Sequence, residues 1–204
     1  MALFLDIKFG KKDMRVPMRE VQKEMDTFGQ AVSNRARVIL ESQGKNSTGN
    51  LSEAIEHEVL NDDKGNVKLS WPMTNAPYWL FVEKGVRGAI NDAKAPDSPF
   101  KFGSGTGPKG GLGNAIRQWI TDKPVKQWRD LKTGRFMSYD GMARMISRSV
   151  YLNGIAPTPF LLNTLVEYFK QYKRNLERAY ATDIAASVNA WVRQNSKALF
   201  KIKF

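Results

Sequence analysis

The 204-residue sequence contains no cysteine and a single histidine, His57. The first absence excludes disulfides and thiolate chemistry; the two together exclude a zinc site built from His and Cys. No apolar run approaches the roughly 18 residues that a membrane span needs. Residues 1–10 alternate instead of forming a continuous apolar block, so no signal peptide is expected. Acidic charge is scarce as well: 20 Asp and Glu stand against 32 Lys and Arg, a formal net charge of +12. Such an excess favours polyanions or acidic protein surfaces as neighbours. What is present is ordinary for a globular chain. Hydrophobic residues make up 42%, enough for a core, and the length fits a single domain over residues 1–204.

Leu3, Leu5, Ile7 and Phe9 alternate with Phe4, Asp6 and Lys8, which predicts a half-buried strand. A turn is expected at Gly10-Lys11-Lys12-Asp13. Pro17 is expected to open a long amphipathic helix reaching Gln43, with Val21, Met25, Phe28, Val32, Ile39 and Leu40 on its apolar stripe and Gly44 as its stop. Over residues 51–61, Ile55, His57 and Val59 alternate with Glu56 and Glu58 and predict a second strand. Asp62-Asp63-Lys64-Gly65-Asn66 is a hairpin turn, and residues 67–71 return before Pro72.

Residues 77–85 predict a short helix. Pro77 suits its first turn, Tyr78, Phe81 and Val82 share a face that could pack on a sheet, and Gly85 stops it. Residues 88–153 form an expected insertion: a long glycine-rich loop to Gly111, a helix over 112–121, a basic loop, and a helix over 139–152 with Met142, Met145, Ile146 and Val150 inward. Thr158 is the expected N-cap, and Pro159 the first residue, of a terminal helix with a break near Thr182-Asp183. Residues 182–204 are an expected C-terminal extension that closes on the alternating Leu199-Phe200-Lys201-Ile202-Lys203-Phe204, a candidate strand. The fold class is α+β: a small antiparallel sheet packed by a long N-terminal helix and C-terminal helices, with a loop-rich helical insertion.

Motifs for chemistry are weak. Gly103-Ser104-Gly105-Thr106-Gly107-Pro108-Lys109-Gly110-Gly111 invites comparison with a phosphate cradle, but no Gly-Lys-Ser/Thr triplet occurs, and Pro108 removes an amide donor. A linker that orders on assembly accounts for it better. Pro96-Asp97 with Asp130-Leu131-Lys132 formally fits the metal-nuclease pattern of two carboxylates and a lysine, yet both elements fall in loops where adjacent strands are required. His57 alternates with its flanking glutamates and does not converge with them. Lys123, Lys126, Arg129, Lys132 and Arg135 surround Trp128, a pattern that suits single-strand gripping by stacking plus charge, or simply a solvated basic face.

Three motifs in order carry a resemblance. Thr48-Gly49-Asn50-Leu51-Ser52-Glu53-Ala54-Ile55 is similar to a family's Thr-Gly-x-Leu-x-x-Ser-Ile. Ala76-Pro77-Tyr78 with Val82-Glu83-Lys84-Gly85 is similar to its Tyr-Ala-x-x-Val-Glu-x-Gly. Gly154-Ile155-Ala156-Pro157-Thr158-Pro159-Phe160-Leu161 resembles its Pro-x-Pro-Phe lead-in to the terminal helix. Over residues 17–180 the chain resembles the tail-completion, or head–tail joining, proteins of long-tailed bacteriophages, with Ala54 where Ser is common and Val86 where Thr is common. The resemblance implies a non-enzymatic virion protein made in the host cytoplasm. It would sit at the neck as a homo-oligomeric ring, commonly of six copies, between the head-side connector and the tail terminator or tube proteins, with passing contact to genomic DNA. No catalytic residue, cofactor, metal or membrane is implied. On this reading the candidate interface residues are Glu83, Arg87, Lys109, Lys126, Trp128, Arg129, Phe200, Ile202 and Phe204. The alternative is a non-catalytic basic nucleic-acid-binding protein.

Overall fold

The computed structural model of the chain describes residues 4–9, 12–45, 48–61, 67–104, 111–123 and 125–199. The elements run β1 (Phe4–Phe9), β2 (Lys12–Pro17), α1 (Arg19–Ser42), α2 (Asn50–Glu53), β3 (Glu58–Asn61), β4 (Val67–Ser70), α3 (Trp79–Lys84), α4 (Gly111–Asp122), α5 (Tyr139–Asn153) and α6 (Leu162–Leu199). The chain is thus mixed helix and strand, as the periodicities predict. Its strands form two separate antiparallel pairs, β1 with β2 from Phe4↔Pro17 to Phe9↔Lys12, and β3 with β4 from Glu58↔Ser70 to Asn61↔Val67. The 62–66 turn between β3 and β4 lies outside the described residues.

The chain divides into two compact units. The first comprises Met1–Arg35, Ile55–Pro72 and Asn163–Phe204; the second comprises Ala36–Ala54 and Met73–Leu162. In the first unit the long N- and C-terminal helices pack together. Val16, Met18, Val21 and Ala179 are buried, with Met25, Val59, Val67, Ile184, Val188 and Trp191 packed around them. Phe28 meets Tyr172 at 5.5 Å and Phe169 at 6.4 Å between ring centres. Asp183 contacts the start of α1, so α1 and α6 run antiparallel. Fully burying a side chain of this size is worth about 1.5–3 kcal/mol.

Pro17 closes β2 and does not open the helix. Lys12 and Asp13, expected in the turn, belong to β2 and pair with β1, and Met14 and Val16 alternate with Asp13 and Arg15 as a strand requires; Gly10 and Lys11 lie outside the described residues. The free amides at the start of helix α1 call for a cap. Asp183 supplies one from 163 residues away: its carboxylate, 6% exposed, accepts from Glu20 N at 3.0 Å and Val21 N at 3.0 Å. Asp183 therefore sits inside a continuous helix and marks no break. The strand expected over 51–61 begins only at Glu58. Leu51 and Ile55 are both buried at a four-residue spacing, and that spacing belongs to the short helix α2 and its exit. Leu199 ends α6, and the rest of the expected terminal strand lies outside the described residues.

His57 is not on a strand. Its Nε2 lies 2.9 Å from Asp26 Oδ1, and its side chain is 11% exposed. The imidazole lies so close over Gly29 of α1 that a Cβ there would run into the ring. That contact accounts for a glycine inside a helix, where it costs about 1 kcal/mol relative to alanine. Among the described residues, no helix is long and apolar enough to cross a membrane.

Candidate functional site

Two places in the second unit gather the residues that the sequence singles out. The first is a junction around Glu83. Pro77 precedes α3, a helix of six residues, and Gly85 ends it with φ 68° and ψ −174°, a backbone region that is essentially glycine's alone. The expected apolar face of α3 is not what the fold buries. Tyr78 and Phe81 are 40% and 44% exposed, whereas Glu83 is 2% exposed. Phe81 instead packs edge-on against Phe100, ring centres 4.4 Å apart. Partial desolvation raises the Tyr78 phenol above its ordinary value.

Glu83 is buried because it caps another helix. Its Oε2 accepts from Leu161 N and its Oε1 from Leu162 N, both at 3.0 Å. These are amides at the start of α6, where free donors and the helix dipole favour an anion. Thr158 and Pro159 are therefore not the N-cap and first helical residue. Thr158 is buried, its Oγ1 donates to Gln43 Oε1 at 3.1 Å, and its amide donates to Val82 O at 2.8 Å.

Main-chain contacts close the junction. Val86 N donates to Ile155 O at 2.9 Å and Ile155 N donates to Val86 O at 2.8 Å, an antiparallel bridge. A Cβ at Gly85 would meet Ile155 O at 2.5 Å and Pro157 N at 2.7 Å. Gly154, with φ 77°, leaves no room for a side chain against Val86 O and Gly88 N. Residues 88–104 are ordered here. Ala89 N donates to Tyr151 O, and Ile90 N and Asn91 N donate to Leu152 O, occupying carbonyls at the end of α5. Ser98 Oγ donates to Gly85 O at 2.7 Å.

Arg87 lies in this junction. Its amide donates to Phe100 O, and its carbonyl accepts from Phe102 N. Among the described residues, its Nε and Ser52 Oγ are the buried side-chain polar atoms without a hydrogen-bond partner. Of the residues expected at an interface, Glu83 is thus buried in this junction and Arg87 half-buried in it. Lys109, Phe200, Ile202 and Phe204 lie outside the described residues.

The second place is a hairpin over residues 126–137. Its base is anchored in the core of the unit: Val125 and Met137 pack against Ile120, Met142 and Ala143. Met137 N donates to Trp128 O, and Asp130 N to Arg135 O, both at 2.8 Å, with Arg129 bridging Phe136 antiparallel. Asp130 locks the turn. Its Oδ1 accepts from Lys132 N and Thr133 N at 2.8 Å each and from Thr133 Oγ1 at 3.1 Å. The hydrogen bonds from the Thr133 and Lys132 amides hold its carboxyl below the usual carboxylate value. Gly134 takes the positive φ, 67°, that the tight turn demands.

The hairpin brings together Lys126, Trp128 and Arg129, three of the five described residues expected at an interface, and exposes all three. The guanidinium of Arg129 lies 4.8 Å from the centre of the Phe136 ring. Sequence reasoning missed Leu131, fully exposed, and Phe136, 60% exposed; apolar residues inside a basic loop were the available signal. Of the formal nuclease set, Asp130 is committed to its own turn and Asp97 is exposed. Met145, expected inward on α5, is 52% exposed, while Met142 is fully buried. Among the described residues, no three His, Cys, Asp or Glu side chains group as metal ligands. Set against family models, curated proteins and solved structures, the chain matches none of them.

Proposed function

We propose that this chain is a structural component of a bacteriophage neck, a ring-forming protein that joins the head connector to the tail tube. The observation that carries the reading is the bidentate link from Glu83 to Leu161 N and Leu162 N. Two of the three motifs behind the resemblance meet through it. Val82-Glu83-Lys84-Gly85 and Gly154-Ile155-Ala156-Pro157-Thr158-Pro159-Phe160-Leu161 close on each other through the carboxylate, the Val86–Ile155 bridge and the packing at Gly85 and Gly154. The junction accounts for Glu83, Gly85, Gly154 and Thr158 among them, each held by a contact within it.

The third motif contributes to the same unit. Gly49 precedes α2 with φ 83°, Leu51 is buried, and Arg37 Nε donates to Ser52 O at 3.0 Å. Motif residues committed to backbone contacts leave function to surfaces. A ring needs two different surfaces on each copy, meeting head to tail. The exposed apolar residues Val166 and Phe169 of α6 and the 126–137 hairpin are candidates for them.

The test is genetic and structural. Loss of the gene should leave filled heads and completed tails unjoined in electron micrographs, and supplying the full chain should restore joined particles. Normal particle yield without the chain overturns the reading. Removal of residues 199–204 should leave a folded protein that fails to restore joining.

A further inference from the structure

The 126–137 hairpin carries chemistry that the junction does not use. Four cations, Lys126, Arg129, Lys132 and Arg135, recur at every third residue, and all are exposed. The acidic residue between them, Asp130, is occupied by three hydrogen bonds within its own turn. Two aromatic rings, Trp128 and Phe136, are 43% and 60% exposed, and Leu131 projects fully between them in sequence. The backbone of the tip is held by hydrogen bonds and rooted in the core, so a ligand would meet a chain already in place, with little backbone-ordering cost.

A ligand for such a tip must supply negative charge and flat apolar faces together. A single-stranded nucleic acid supplies both, as phosphates at intervals and unstacked bases. A duplex hides its base faces, and an acidic polypeptide offers planar rings only where aromatic side chains interrupt its carboxylates, whereas every nucleotide brings one of each. We propose that this hairpin is a binding tip for single-stranded nucleic acid, with Trp128 and Phe136 as stacking platforms and Lys126, Lys132 and Arg135 as phosphate contacts. Arg129, stacked on Phe136, orients that ring and adds charge beside it. The proposal does not depend on the joining-ring reading: either could fail while the other stands.

The experiment uses the full chain, a fluorescein-labelled thymidine 20-mer, a duplex of the same length, and a salt series read by anisotropy. The single strand should bind at least about 10-fold more tightly than the duplex at equal salt. Trp128→Ala and Phe136→Ala should each weaken single-strand binding about 5-fold or more, with duplex binding unchanged. Lys132→Ala with Arg135→Ala should lower the salt slope by roughly 0.7 for each phosphate no longer neutralised. All four side chains are exposed, so each variant should keep the parent's thermal melt. Equal affinity for duplex and single strand, or aromatic variants that bind as the parent does, overturns the proposal. So does binding to polyglutamate or to phosphatidylserine vesicles at concentrations where the 20-mer does not bind.

Discussion

The Glu83 junction and the 126–137 hairpin belong to the same unit and use charge in opposite ways. At the junction a carboxylate is 2% exposed, and each of its oxygens is taken by a main-chain amide. At the hairpin four cations face solvent, and the acid among them bonds to its own turn. The first arrangement commits both carboxylate oxygens to fixing the chain. The second fixes its own backbone and leaves its side chains available. The residues that look most like a motif build the molecule, and an ordinary basic loop holds the accessible chemistry.

Substitutions can break that comparison, and the largest effect belongs to the glycines of the junction. Gly154→Ala puts a Cβ against Val86 O and Gly88 N at a φ that L-residues disfavour. It should cost on the order of 4 kcal/mol, with the second unit failing to fold; circular dichroism and urea titration check this. Glu83→Ala strands two amide donors and should cost about 2–4 kcal/mol. Glu83→Gln should recover only part of it, because its one oxygen still accepts one amide while its NH2 faces the other. Hydrogen exchange at the Leu161 and Leu162 amides reads the local loss in both variants.

A smaller effect sharpens the comparison from the first unit. Asp183→Asn keeps one acceptor for the start of α1 but loses the charge, and should cost about 1 kcal/mol. The smallest effect is at the hairpin and depends on pH. Folded Asp130 has a carboxyl below its unfolded value of 3.8. Its contribution is therefore present above that value and is lost only as pH falls through the lower folded one. The Lys132 and Thr133 amides should stay protected from pH 7 down to about 4 and exchange freely only below it. Loss of protection already at pH 5 would contradict the turn geometry.

Much of this architecture is legible in the sequence, and what was missed has a common cause. The stripe from Val21 to Leu40 gives α1, and the Gly85 and Gly154 stops lie where chain geometry needs them. Sequence reading looks for a helix cap among neighbouring residues. Here α1 takes its cap from Asp183 and α6 takes its cap from Glu83, so the starts expected at Pro17 and Thr158-Pro159 belong elsewhere. Glu83 looks like a surface residue for the same reason, because only the fold reveals the two amides it must satisfy. At the hairpin, the cation spacing and Trp128 were visible. The exposure of Leu131 and Phe136 was not, since an apolar residue in a loop is as consistent with burial as with display.

The central proposal is that this chain works by fitting between other proteins at a phage neck. Cryo-electron microscopy of phage particles assembled with and without this chain tests this most directly. The account predicts a closed ring of copies of this chain at the junction of head connector and tail tube. A junction fully occupied by other chains, with no density that fits this one, would contradict it.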